Sequence, residues 1–94
     1  MNEERLLRWI SEKDPRYHLY AYRFVLEALR YTQFVFKKPR HITGQELLTG
    51  IARLGRERFG GMALTVFQEW GILTSRDFGN IVFNLVEVGE VKKT

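Results

Sequence analysis

Cysteine is absent from this 94-residue chain, which excludes disulfides, thiolate nucleophiles and cysteine-ligated zinc or iron–sulfur centres. Long apolar runs are absent too. The N-terminus, Met1-Asn2-Glu3-Glu4-Arg5, is charged and leads into a short amphipathic stretch. Nothing there suits a signal peptide or a membrane span, so the expectation is a cytoplasmic chain without membrane contact. Chemistry-bearing residues are scarce: His18 and His41 are the only histidines, and Ser11 and Ser75 the only serines. No H-E-x-x-H, G-x-x-x-x-G-K-[ST], G-x-S-x-G or spaced acidic calcium loop occurs. No catalytic residue, metal ligand or cofactor site is therefore expected, and the chain reads as a non-enzymatic protein.

What is present suits one folded domain spanning 1–94. A chain of this length closes a single core. With 45% hydrophobic and 14% aromatic residues it carries enough apolar surface to offset the entropy of ordering, which argues against intrinsic disorder. The formal charge is +4, but its distribution says more than the total. Residues 13 to 58 hold ten Lys/Arg against four acids, net +6, while the rest of the chain is net −2. A central positive segment permits an anionic partner and serves solubility equally well.

Helical punctuation runs along the chain and predicts an all-α compact bundle of about five helices. In the first, about Glu3 to Glu12, Leu6, Leu7 and Ile10 follow the i, i+3, i+4 rule and Trp9 extends the face. Asp14-Pro15 has the form of a helix start, so a long helix is expected from Tyr17 to about Phe36, with Phe34 widening its apolar stripe and Pro39 stopping it. Thr43-Gly44-Gln45-Glu46 has the capping-box form and opens a third helix that Gly60-Gly61 ends. A fourth, Met62 to Trp70, buries Met62, Ala63, Val66, Phe67 and Trp70, with Gly71 as a left-handed cap and Ile72 packing back. Thr74 or Ser75 caps a fifth whose core stripe is Phe78, Ile81, Val82 and Leu85. The tail Val88 to Val91 is expected to add a short extended or winged element.

Two classes of binding are open. The first is protein–protein contact or homo-oligomerisation: Phe83 and Val86 lie off the core stripe of the fifth helix, and Gly79 would allow close packing there. The second is nucleic acid. The run Glu69-Trp70-Gly71-Ile72, Ser75, Phe78, Ile81, Val82, Leu85, Val86 and Gly89 resembles the helix–turn–helix of winged-helix domains. Its exposed side would carry Arg76, Asp77, Asn80, Asn84 and Glu87, which is not a phosphate-seeking set. A variant places the contact on a basic patch, Lys37, Lys38, Arg40 and His41 with Arg53 and Arg56, if the loop folds beside the third helix. His18 reads as an exposed or packing imidazole. Of the tyrosines, Tyr17, Tyr20 and Tyr31 keep a spacing that favours the core, and Tyr22 is the one expected at the surface.

Asp14-Pro15-Arg16-Tyr17, the run Ala21 to Leu29, His41 to Leu48, Glu69 to Ile72 and Asp77 to Glu87 together carry a likeness over nearly the whole chain. The chain resembles a family of short, conserved hypothetical bacterial proteins described as restricted to Verrucomicrobia and Planctomycetes. The resemblance implies a common fold and brings no activity, cofactor or catalytic residue with it. Members of that family tend to continue with an acidic extension beyond the position of Lys92-Lys93-Thr94.

Overall fold

Local capping decides where the helices of this chain begin. The computed structural model describes residues 2–91. The Asn2 side chain accepts a hydrogen bond from the Arg5 amide at 2.8 Å and opens α1, Glu3–Lys13, with Glu3 and Glu4 in its first turn and Lys13 in its last. Leu7 and Ile10 point into the core.

The second helix does not start where Asp14-Pro15 suggested. α2 spans Leu19–Val35, and its cap is His18, whose Nδ1 accepts from the Tyr20 amide at 3.1 Å. Asp14 closes α1 instead, because its carboxylate is already engaged by the Arg16 guanidinium at 2.7 and 2.9 Å. Residues 14–18 turn, and this turn carries Tyr17 into the core ahead of the helix. α2 is the central helix: Ala21, Tyr22, Phe24, Val25, Leu26, Ala28 and Thr32 are all buried, so little of its circumference faces water along this stretch. It ends at Lys37, which holds φ +55 while the Lys38 amide reaches back to the Gln33 carbonyl at 2.9 Å. Phe34, on its outer side near this end, is 83% exposed and does not widen the core stripe as expected.

α3, Gly44–Phe59, carries the capping box foreseen at Thr43 and Glu46, with both reciprocal bonds at 3.0 Å. It crosses α2 where Gly50 meets the buried Thr32. A single 3₁₀ turn, Gly60–Met62, leads into α4, Ala63–Glu69. Met62 lies in that turn and is exposed, a correction to its expected burial. Phe67 and Trp70 join Phe24, Phe59 and Phe78 in an aromatic cluster with neighbouring centroids 5.4 to 6.5 Å apart, inside the range where edge and tilted pairs attract. Gly71, at φ +92, ends α4, and the Ile72 amide bonds the Phe67 carbonyl at 2.9 Å as its side chain packs inward.

α5, Ser75–Glu87, buries Ile81 and Leu85 against α1 and α2. No strand is present among the described residues, so the extended or winged element expected at Val88 to Val91 does not form there. Gly89 adopts φ +83 and the Glu90 amide returns to the Leu85 carbonyl at 3.0 Å, folding the segment back so that Val88 and Val91 pack on the core. The described residues thus form an all-α bundle of five helices. Two groups of buried residues, one between α1, α2 and α5 and one between α2 and α3, share Phe67, Trp70, Phe78 and Val82 as the seam between them.

Candidate functional site

α5 presents two faces of different character, and its inward face decides the outward one. The Asp77 carboxylate accepts from the Tyr17 hydroxyl at 2.5 Å and from the Leu73 and Thr74 amides at 2.8 and 3.0 Å. Asn80 donates to the Tyr17 oxygen at 2.9 Å. Asn84 donates to Asp14 at 2.8 Å and to the Tyr22 hydroxyl at 3.0 Å. Tyr22 is fully buried, which overturns its expected place at the surface. Three side chains read from the sequence as the exposed side of a recognition helix are therefore the fastening that holds α5 to the 14–22 segment. Long-range pairing of this kind leaves no periodic signature, so sequence reasoning missed it.

The fastening is sensitive to acid. Hydrogen bonding to Arg16, and then to Asn84, holds the Asp14 carboxyl at about 2, below its ordinary 3.8, and the Tyr17 hydroxyl with the two amides holds Asp77 below its usual range. Both folded values are depressed, so the stability they add is present above the ordinary carboxylate range and is lost as pH falls toward the folded values. The thermal midpoint, followed by circular dichroism, is expected to fall from about pH 4 to about pH 2, and to fall less steeply in Asp14→Asn than in the parent chain.

With that side committed, the outer face of α5 is fixed in orientation. Phe83 stands there 62% exposed, with the exposed Gly79 one turn before it and the half-buried Val86 one turn after. Arg76 and Glu87 flank this strip, both exposed and neither in an ion pair among the described residues. The two residues singled out from the sequence, Phe83 and Val86, do share one surface.

The basic residues are less well gathered. Five of the ten in the central segment are held in ion pairs: Arg16 with Asp14, Arg23 with Glu4, Arg30 with Glu3, Lys38 with Glu46 and Arg58 with Glu27. The excess positive charge is thus partly neutralised where it arises. Lys37, Arg40 and His41 are exposed on the loop before α3, with His41 at φ +61. Arg53 and Arg56 are exposed on α3, about 14 and 18 Å along its axis from Gly44 at the helical rise. The loop residues therefore precede the start of α3, whereas Arg53 stands just past its middle and Arg56 near its far end. Tyr20 is half-exposed beside His18, with the Arg23 guanidinium 5.3 Å from its ring centre, rather than in the core.

No cluster of three His, Asp or Glu suited to a metal is present among the described residues. A concavity of about 570 Å³ between α1 and the start of α2 is an open groove lined by Glu4, Arg8, Glu12, His18, Tyr20 and Arg23 among others. No helix among the described residues is long and apolar enough to cross a membrane. The chain matches no family model, no curated protein and no solved structure.

Proposed function

We propose that this chain is a non-enzymatic helical protein-interaction module whose contact surface is the outer face of α5. The observation that carries this reading is Phe83, a large aromatic side chain left 62% exposed on a helix whose opposite face is tied down by Ile81, Leu85 and the Asp77, Asn80 and Asn84 bonds. Aromatic and arginine side chains are the usual anchors of protein interfaces, and Arg76 stands beside the strip. Fully burying such a ring contributes roughly 1.5 to 3 kcal/mol, of which the isolated chain, with Phe83 62% exposed, forgoes the larger part.

The test places a photo-crosslinking benzophenone side chain at position 83 in the full chain, in the cells that express it, and the same group at position 53 on the outer face of α3. Protein adducts from position 83 and few from position 53 are the expected result. Equal yields, or no protein adduct at 83, would overturn the reading. So would duplex DNA or RNA binding that persists at near-physiological salt and is lost on reversing the charges of Lys37, Lys38 and Arg53, since a phosphate-binding patch acts through those cations.

A further inference from the structure

We infer that the occupant of the α5 face is a second copy of this chain, docked antiparallel about a two-fold axis near Ile81, with Phe83 of each copy over Gly79 of the other and Arg76 of each facing Glu87 of the other. The inference rests on the reading of α5 as the contact surface and specifies its partner.

Three features of α5 converge on that geometry. The first is shape. Gly79 lies one turn before Phe83 on the outer face, about 6 Å along the helix, and a Cβ built at Gly79 meets nothing within 4 Å. A projecting ring therefore sits beside a gap on the same face. Two identical faces turned head to tail set each ring over the other's gap, which is the self-complementarity that a two-fold interface requires.

The second is charge. Arg76 and Glu87 are eleven residues apart, close to three full turns, so they occupy the same flank of α5 within about 20° and about 16 Å from each other. A two-fold axis perpendicular to paired helices keeps each flank on its own side and reverses the helix direction. Arg76 then meets Glu87 of the other copy, twice per dimer. Parallel pairing, about an axis along the helices, would carry Arg76 and Glu87 to the opposite flank of the other copy and leave neither facing an opposite charge.

The third is register. The midpoint between Gly79 and Phe83 falls at Ile81, and that between Arg76 and Glu87 falls half a residue further on. One alignment satisfies both pairings. In it Val86 comes level with Arg76 of the other copy, on the far side of the Phe83–Gly79 contact from the charged pair. Asn80 and Asn84 do not disturb this, since their amides are engaged inward. One helix face makes a small interface, so the dimer belongs to the weak, reversible class.

Sedimentation equilibrium of the full chain, up to about 1 mM to match an interface of this size, tests it. A concentration-dependent dimer is expected. Arg76→Glu, and separately Glu87→Arg, should each weaken it roughly tenfold, because two exposed pairs are lost and like charges face one another. The double variant Arg76→Glu with Glu87→Arg should return to within about threefold of the parent, with helicity unchanged in all three. A dimer that the double variant fails to restore would overturn the antiparallel pairing and leave the interaction reading standing. A monomer throughout the range would overturn self-pairing, and crosslinking at position 83 to a different protein would then identify the reading that survives.

Discussion

Replacing Gly71 with alanine is expected to cost the fold about 3 kcal/mol or more, a large share of the roughly 5 to 14 kcal/mol by which a domain of this size is stable. Two effects add. Gly71 holds φ +92, a conformation that L side chains rarely adopt, and a Cβ there would stand 2.1 Å from the Arg16 carbonyl oxygen. That oxygen is backbone and cannot swing aside. Beside it the His18 amide bonds the Trp70 carbonyl at 3.0 Å, so the end of α4 and the start of α2 are joined at one point. Gly89→Ala is the control: φ is +83, but a Cβ there meets nothing within 4 Å, so only the conformational part, about 1 kcal/mol, should be lost. Urea unfolding of the two variants separates strain from collision. Equal losses would mean that the Arg16 contact contributes nothing.

The second large effect is expected at the α2–α3 crossing. Gly50→Ala places a methyl group 1.8 Å from the Thr32 hydroxyl oxygen and 3.0 Å from its Cβ. Thr32 is fully buried, and its hydroxyl donates to the Ala28 carbonyl at 2.6 Å, so the side chain has little room to yield. Alanine improves helix propensity by about 1 kcal/mol over glycine, yet the overpacked crossing should reverse the sign and leave a net loss of about 2 kcal/mol. Thr32→Ala removes the colliding oxygen. In the double variant it should therefore recover at least about 1 kcal/mol of that loss, measured as a coupling energy from the four-member cycle. Additive effects would show that the two helices do not meet at this pair.

The extent to which the sequence foretold this fold follows from the range of the forces involved. Thr43 with Glu46, and Gly71 with Ile72, act on amides and carbonyls within a few residues, so their residue types announce the helix ends directly. Asp14 misled for the same reason in reverse. An aspartate before a proline is a sound local start signal, but the Arg16 guanidinium and Asn84, seventy residues away, claim its carboxylate. His18 was missed as a cap because an imidazole nitrogen seldom takes that role. Tyr22 looked exposed beside three better-spaced tyrosines, and what buries it is a partner on α5 that no local window contains.

Sequence by itself determined that the chain is all-α, where most of its helices lie, that it lacks the residue patterns of the familiar hydrolytic and metal chemistries, and that Phe83 and Val86 fall outside the core stripe of the last helix. Each of these depends on composition or on spacing within a turn or two. Tertiary structure alone decided that Asp77, Asn80 and Asn84 turn inward and that Lys38 and four arginines spend their charge on neighbouring carboxylates. A polar side chain has no preferred side of a helix until a partner arrives, and those partners come from segments far apart in the chain.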